Sequence, residues 1–293
     1  MDRLDNIGEN EIRIIGSSPE QRPAETPQKG KKWLAVALVA ALLVLGVVLW
    51  LLGRNDSPSE SFSTQSMPPV ATEQEDSVVQ DSAYVDICDT IINNISLHRY
   101  IPVNAKPMLV VGLIKDIPSD YILGAMAADF GDYNGEYRVA GAFVHQGQML
   151  SHSKSKYGFC AILKDTVVIG NDLSTSYFEE AIEEKGDFFR QHALVHEGEV
   201  VNKVISKIGA LRRSLCRLSD GRLCIIDTDM SVSLDEFSTA LCQYGVKEAI
   251  ALMGTGASVR WAVDKAGRRY IAGADEFDFP EVVNYIVWDS SRK

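Results

Sequence analysis

The feature that most constrains this chain is residues 33–53, an apolar segment without one charged side chain. An α-helix rises about 1.5 Å per residue, so a segment of this length spans a hydrocarbon core of about 30 Å. Trp33 and Trp50 stand near its two ends, where indole rings favour the membrane interface. A buried core helix is the alternative, but such helices carry polar positions. The pattern therefore predicts one transmembrane helix over residues 33–53.

The charges on either side of this segment predict its orientation. Lys29, Lys31 and Lys32 precede it, whereas only Arg54 follows closely. Because positive charge is retained on the cytoplasmic side, residues 1–32 are expected to form a cytoplasmic tail. The sequence thus predicts a single-pass membrane protein whose C-terminal domain is periplasmic or extracellular.

The remainder of the chain divides by composition. Residues 54–81 are rich in Ser, Pro, Gln, Thr and Glu and offer few apolar side chains to offset ordering entropy, so we predict a disordered stalk. Residues 82–293 are expected to form one extracytoplasmic domain. Hydrophobic residues make up 46% of the chain, enough for a core, and the net charge of -11 argues against a nucleic-acid partner.

Within the domain, short β-branched runs follow one another after Pro107, as expected of strands. Three helices are predicted among them. Residues 83–96 carry apolar side chains at helical spacing, residues 174–185 begin with Ser and Thr, and Ser233 opens a capping box whose helix ends at Gly245. Strands in succession with few helices predict an α+β fold: a strand-rich domain with flanking helices, preceded by the transmembrane helix.

The cysteines leave two interpretations open. Cys216 and Cys224 flank a turn at residues 219–221, and a three-residue loop would place them opposite each other, whereas a two-residue loop would place them on different faces. Buried small side chains are favoured over a disulfide. Five cysteines with no C-x-x-C pair argue against a zinc knuckle.

Two further patterns resemble metal-binding motifs, but for each of them an interpretation without a metal ion is favoured. His192 and His196 would share a helix face, but the segment reads as strand, turn, strand, which separates them by about 13 Å. Residues 129–136 are dense in oxygen donors, yet a solvated turn is favoured over a calcium loop. We therefore predict no metal ion and no cofactor.

Residues 254–258 form a glycine-containing loop directly after an apolar strand. Glycine there would allow close backbone approach to a ligand, and exposed N–H groups could hold an anion. Arg213, which opens an earlier strand, could add a bidentate clamp on a phosphate. The alternative interpretation is that residues 254–258 form a plain turn and that Arg213 is a surface arginine.

The order of motifs over residues 189–263 resembles the phosphodiester glycosidase family. Gln191 precedes Leu194 and Val195, Arg213 opens a strand that leads into the hairpin turn of residues 220–223, and a helix over residues 234–245 follows. The resemblance implies a domain that acts on or binds sugar phosphodiesters or glycans. It implies these substrate-binding residues: Gln191, Arg213, Gly254, Thr255, Gly256 and Ser258.

The chain departs from the family where a carboxylate is expected. Met253 stands at the family's Asp, and His192 with Ala193 replaces a Gly-Pro pair. Methionine can neither transfer a proton nor stabilise a developing positive charge, so the candidate catalytic groups are Asp129 and Asp227. The alternatives are a catalytically inactive glycan- or protein-binding domain of the same fold, or an unrelated structural domain.

Overall fold

A computed structural model describes residues 82–292 except positions 154, 165, 202–206, 255 and 274–278. All of them belong to one compact unit, Val79–Lys293. The predicted cytoplasmic tail (1–32), transmembrane helix (33–53) and stalk (54–81) lie outside the described residues.

Nothing in the described residues supports the predicted membrane localisation. Their two helices have 7 and 11 residues, whereas about 20 are needed to cross a bilayer. The described residues thus contain no helix that is long and apolar enough to cross a membrane, which contradicts the predicted single-pass localisation with a periplasmic or extracellular domain.

The predicted α+β class is also wrong, because the described residues form antiparallel sheets with two short helices. Helix α1 is Tyr177–Glu183 and helix α2 is Leu234–Tyr244. The first strands are β1 (Tyr84–Ile92), β2 (Ile95–Val103), β3 (Lys106–Val111), β4 (Tyr121–Met126), β5 (Phe130–Tyr133), β6 (Glu136–Val139), β7 (Phe143–His145), β8 (Gln148–Ser151), β9 (Gly158–Leu163) and β10 (Thr166–Asn171). The later strands are β11 (Asp187–Gln191), β12 (Ala193–His196), β13 (Glu199–Val200), β14 (Arg213–Leu218), β15 (Leu223–Thr228), β16 (Val246–Leu252), β17 (Arg260–Val263), β18 (Arg269–Ala272) and β19 (Asn284–Asp289).

The described strands form three sheets and a separate hairpin. The first sheet has the order β1-β2-β15-β14-β16-β12-β13, the second β10-β9-β11-β7-β8, and the third β18-β17-β4-β19-β3. Strands β5 and β6 pair only with each other. Several sheet neighbours are distant in sequence, and the pairing of β3 with β19 places residues from opposite ends of the domain side by side.

The helix predicted over residues 83–96 is instead the β1–β2 hairpin. Asn93 and Asn94 have φ of 52° and 60°, the left-handed values that a tight two-residue hairpin turn requires and that asparagine tolerates. Nine register pairs join the strands, from Tyr84 with Val103 to Ile92 with Ile95. The isoleucines that suggested helical spacing are therefore distributed over both faces of a strand.

One hydrophobic core is shared by the three sheets. Leu215 from the first sheet, Phe189 from the second and Ile286 from the third are each 0% exposed and belong to the same buried cluster. Helix α2 covers the outer face of the first sheet through Phe237, and α1 covers the outer face of the second through Phe178. The first and second sheets are thus packed on both faces.

The capping prediction for α2 and the turn prediction are confirmed, whereas the helix predicted over residues 174–185 is shorter, Tyr177–Glu183, and its N-cap Ser176 makes no side-chain capping hydrogen bond. Ser233 and Glu236 form the reciprocal capping box of α2, and Gly245 ends the helix with φ 95°. The turn at residues 219–221 has three residues, so Cys216 and Cys224 are register partners. Both are buried thiols under α2 rather than a disulfide.

Candidate functional site

A cavity of about 400 Å³ opens where β14 begins and β15 ends, beside the loop that leads into β17. We call it the arginine cavity because three arginines line it. Its described lining residues are His98, Tyr100, Leu211, Arg212, Arg213, Asp227, Thr228, Asp229, Gly254, Gly256, Ser258, Arg260, Ala272 and Gly273.

Asp227 is the buried counterion at the floor of this cavity. Its Oδ2 atom accepts a hydrogen bond of 2.8 Å from Nε of Arg260 and lies 3.4 Å from Nε of Arg213. Arg213 and Asp227 are register partners on β14 and β15, while Arg260 comes from the third sheet. The guanidinium of Arg260 also lies 4.2 Å from the ring centroid of Tyr100, a cation–π contact. One carboxylate therefore connects two sheets.

Arg213 is buried and forms hydrogen bonds with residues between β16 and β17. Its Nη1 atom donates to the carbonyl of Met253 at 3.1 Å and to Oγ of Ser258 at 3.2 Å. Burial lowers the pKa of Arg213, and the charge of Asp227 opposes that effect. Gly254 completes the contact, because a Cβ there would lie 2.6 Å from the backbone nitrogen of Arg213. Met253, Gly254 and Ser258 thus lie directly against the first residue of β14.

His98 stands on the rim of the arginine cavity between two carboxylates. Nδ1 lies 2.8 Å from Oδ1 of Asp89, and Nε2 lies 3.4 Å from Oδ2 of Asp229. Burial disfavours the charged ring, but the hydrogen bond that the ring donates to Asp89 and the nearby charge of Asp227 outweigh it and raise the pKa of His98 above its usual value. The ring therefore remains protonated at a higher pH than a free histidine.

A second polar group, which we call the Asp129 cluster, comprises Asp129, Lys156, Gln191 and His192. Nζ of Lys156 lies 2.6 Å from Oδ2 of Asp129 and 2.9 Å from Oε1 of Gln191. Gln191 Oε1 also accepts from the backbone N–H of His192 at 3.3 Å. The Lys156 side chain is 10% exposed and that of Asp129 is 43% exposed, so the carboxylate is the accessible member.

Charges within the cluster determine the protonation of its acid and its imidazole. Burial opposes ionisation of Asp129, but the Lys156 ammonium and the hydrogen bonds from Lys156 and Gln191 lower its pKa below the usual range. Burial and the charge of Lys156 also lower the pKa of His192. Near neutral pH the cluster therefore holds an ionised carboxylate beside a neutral imidazole.

The backbone of Met253 connects the arginine cavity with the Asp129 cluster. Its N–H donates to the carbonyl of Ala127 at 3.2 Å, and the same carbonyl accepts from Nε2 of Gln191 at 3.4 Å. Its own carbonyl accepts from Arg213. The pKa of His192 is lowered by Lys156 and also by the charge of Arg212, a residue of the cavity. The arginine cavity and the Asp129 cluster are therefore close enough for a charge in one to shift a pKa in the other.

The structure separates the sequence-predicted site residues into these two places. Five line the arginine cavity: Arg213, Asp227, Gly254, Gly256 and Ser258. Asp129 and Gln191 lie together in the Asp129 cluster, and Thr255 lies outside the described residues.

Sequence reasoning missed several polar groups of these two places, and four of them carry the site: His98, Tyr100, Lys156 and Arg260. Arg260 carried a usable signal, because it follows the glycine loop by two residues and opens an apolar strand. The other three reach the site only through pairings between distant strands or through the loop before β9, and nothing in their local sequence marks them.

No family model and no curated protein sequence matches the chain. Solved structures do. The zebrafish N-acetylglucosamine-1-phosphodiester alpha-N-acetylglucosaminidase catalytic domain, auto-inhibited by its pro-peptide, matches with a TM-score of 0.51 at 13% identity, over 72% of this chain and 83% of that one. A hypothetical protein from Synechocystis matches with a TM-score of 0.47 at 10% identity, over 71% and 62%. An exported protein from Burkholderia pseudomallei matches with a TM-score of 0.46 at 9% identity, over 66% and 73%.

The likeness to the zebrafish domain shows that this chain has a related, phosphodiester glycosidase-like fold. At 13% identity it shows the fold and no activity. The predicted resemblance is thus confirmed at the level of architecture.

Proposed function

We propose that this domain binds a glycosyl phosphodiester, with the phosphate in the arginine cavity. The observation that carries the proposal is Arg260. Within the described part of the chain, its side chain forms a hydrogen bond only through Nε, to Asp227. Its Nη groups are therefore available to a ligand in the cavity, and a planar guanidinium matches the oxygens of a phosphate.

The charge balance of the cavity supports an anionic ligand. The cavity is lined by three arginines, Arg212, Arg213 and Arg260, and by two aspartates, Asp227 and Asp229. The protein as a whole carries a net charge of -11, so an excess of cationic side chains here runs against the general charge. His98 adds a positive charge at the rim when it is protonated, and the adjacent Asp89 offsets that charge, so the excess comes from the arginines. Such a local excess favours an anion in a partly buried cavity.

Asp129 is the carboxylate that we propose for catalysis, whereas Asp227 and Arg213 are positioning residues. Asp227 is 5% exposed and paired with two arginines, which leaves it no access to substrate. Asp129 is accessible, and its lowered pKa keeps it ionised. An ionised carboxylate suits the role of base or nucleophile rather than that of proton donor.

The chemistry of the leaving group fits this arrangement. Hydrolysis breaks the bond between the anomeric carbon and the phosphate oxygen, and water supplies the new hydroxyl while its proton passes to the base. The departing phosphate monoester has a second pKa of about 6, so it leaves as an anion near neutral pH without needing a proton. The absence of a carboxylate at Met253 is therefore compatible with turnover if Asp129 takes the proton from water.

Binding without turnover is the second candidate function. Met253 at the family's Asp position favours it, because within the described residues Met253 contributes only backbone hydrogen bonds, to Ala127 and Arg213. In that case the Asp129 carboxylate would orient sugar hydroxyls, and the arginine cavity would still hold the phosphate.

The binding proposal is tested by titrating the full chain with the methyl phosphodiester of N-acetylglucosamine 1-phosphate in a calorimeter. Arg260→Met is expected to weaken binding about tenfold or more, and Arg260→Lys to weaken it less, since a bidentate contact is lost but the charge remains. Arg268→Met is the matched control, because Arg268 is exposed and paired with Asp264. Equal affinities in Arg260→Met and Arg268→Met would contradict the proposal.

Turnover is tested separately by the release of N-acetylglucosamine from the same compound. If the domain is a hydrolase, Asp129→Asn is expected to reduce the rate at least a hundredfold, as loss of a general base does. The exposed Asp116 provides the control substitution, Asp116→Asn. Binding by the wild-type protein without release of sugar would instead establish the second candidate function.

A further inference from the structure

We propose that the exposed face of the β5–β6 hairpin is a stacking platform for additional sugar residues of a glycan chain, with Tyr133 as its aromatic base. This extends the proposed function from one sugar phosphodiester to an oligosaccharide, and it rests on that function for its position next to Asp129. The hairpin is not part of the arginine cavity, and its exposed aromatic rings have no role in the site described above.

The hairpin projects directly from the Asp129 cluster. The backbone carbonyl of Asp129 accepts from the N–H of Ala140 at 2.7 Å, and the β5–β6 register pairs begin one residue further on, with Phe130 opposite Val139. Because side chains alternate along a strand, Asp129, Gly131 and Tyr133 share one face of the hairpin. The accessible carboxylate and the tyrosine therefore belong to the same surface.

Tyr133 lies over this surface rather than pointing away from it. A Cβ at Gly131 would lie 3.7 Å from Cε2 of Tyr133, so the ring folds back over Gly131 towards Asp129. The residue is 43% exposed, although its ring is large and apolar. A tyrosine laid over a glycine offers one ring face to solvent, which is the geometry that the apolar face of a sugar ring can contact.

Polar side chains border the ring on the same face. Arg138 stands opposite Gly131 and Glu136 opposite Tyr133, and the two are joined by an ion pair of 2.5 Å. Their side chains are 62% and 66% exposed, which leaves them able to exchange hydrogen bonds with hydroxyl groups. An aromatic face with donors and acceptors around it suits a carbohydrate better than an apolar peptide, because sugars present hydroxyls around an apolar ring face.

The spacing fits a short chain of sugars. Gly131 and Tyr133 lie two and four residues from Asp129 along an extended strand, which corresponds to about 7 and 13 Å. One sugar ring bound at Asp129 would therefore be followed by one or two more over the tyrosine. The partner identified by this chemistry is a linear oligosaccharide, attached through its reducing end to a phosphodiester.

The experiment compares three ligands on the full chain: the methyl phosphodiester of N-acetylglucosamine 1-phosphate, the corresponding phosphodiester of the linear trisaccharide of N-acetylglucosamine, and that trisaccharide without phosphate. The wild-type protein is expected to bind the trisaccharide phosphodiester about three- to tenfold more tightly than the monosaccharide one, the advantage that one aromatic contact supplies. Tyr133→Ala should abolish this advantage, and Tyr133→Phe should retain it.

Tyr137→Ala is the matched control, because Tyr137 is 44% exposed on the same hairpin but pairs with Asp132 on the opposite face. It is expected to keep the preference for the trisaccharide. The platform is ruled out if Tyr133→Ala and Tyr137→Ala behave alike, or if the wild-type protein binds both phosphodiesters equally.

Failure of the proposed phosphate site would give a pattern of affinities different from failure of the sugar platform. Arg260→Met is expected to weaken both phosphodiesters and to leave binding of the phosphate-free trisaccharide unchanged. If the wild-type protein binds the phosphate-free trisaccharide through Tyr133 and neither phosphodiester more tightly, the platform stands and the phosphate site does not. If no ligand binds, both proposals fail.

Discussion

Nε of Arg260 donates a hydrogen bond of 2.8 Å to Asp227, and the two residues come from different sheets of the domain. Their side chains are 10% and 7% exposed. A buried carboxylate between two guanidinium groups costs desolvation energy, which only close pairing offsets. The ion pair therefore connects the first and third sheets, and it also forms the floor of the arginine cavity.

Replacing the carboxylate is expected to destabilise the fold. Asp227→Asn would leave Arg213 and Arg260 buried without a counterion, at a cost of about 3–5 kcal/mol in the free energy of unfolding. Urea denaturation measures the change. The control is Asp220→Asn, since Asp220 pairs with Arg222 at the exposed tip of a hairpin and should contribute little. Similar midpoints for the two variants would show that the buried pair does not stabilise the protein.

The raised pKa of His98 predicts a pH dependence of stability. Its protonated form is favoured in the folded protein, so its contribution is fully present below about pH 6.5, the unfolded value, and is lost as the pH rises through the folded pKa. Unfolding free energies of wild type and His98→Gln should therefore differ most in acid and converge on the alkaline side. A difference that grows as the pH rises would contradict this assignment.

The lowered pKa of His192 predicts a pH dependence of stability that is opposite to that of His98. The pKa of His192 is lowered by burial and by the charge of Lys156, so the unfolded chain takes up a proton at a higher pH than the folded one. As the pH falls below about 6.5, the unfolded value, the wild-type protein should lose stability relative to His192→Gln. A nuclear magnetic resonance titration of the two imidazoles would place His192 below and His98 above a free histidine.

Helix α2 offers a test of local stabilisation. Ser233→Ala removes the side chain that accepts from the backbone N–H of Glu236, and the expected loss is about 1 kcal/mol. Ser176→Ala at the start of α1 is the control, because Ser176 makes no capping hydrogen bond to the backbone. Thermal unfolding should show a lower midpoint for Ser233→Ala than for Ser176→Ala, and equal midpoints would exclude a contribution from the capping box.

Close packing between β4 and β17 gives a further prediction. A Cβ at Gly124 would overlap the indole ring of Trp261, which is 0% exposed, so Gly124→Ala is expected to cost about 1–3 kcal/mol or more. In Gly131→Ala the new methyl group would meet Tyr133 at an ordinary contact distance of 3.7 Å. Stability close to that of the wild-type protein is expected for Gly131→Ala, and if Gly124→Ala matches it, the packing is looser than described.

Features that depend on a few neighbouring residues were determined by the sequence itself. The capping box at Ser233, the end of α2 at Gly245 and the hairpin turn at residues 219–221 were predicted correctly. Each relies on hydrogen bonds or backbone angles within about one turn of chain, so the local residue types are sufficient. The motif order also indicated the architecture that the zebrafish domain shares.

Only the tertiary structure decided what the isoleucine-rich run after Ala83 becomes and which polar groups meet. That run satisfies helical spacing, but it pairs with β2 as one strand of a hairpin, and the pairing of β2 with β15 joins this hairpin to the first sheet. The same long-range register brings Tyr100 under Arg260, and the loop before β9 brings Lys156 to Asp129. These contacts join residues that are far apart in sequence, so they arise from burial of a shared core and from strand register, neither of which a local pattern records.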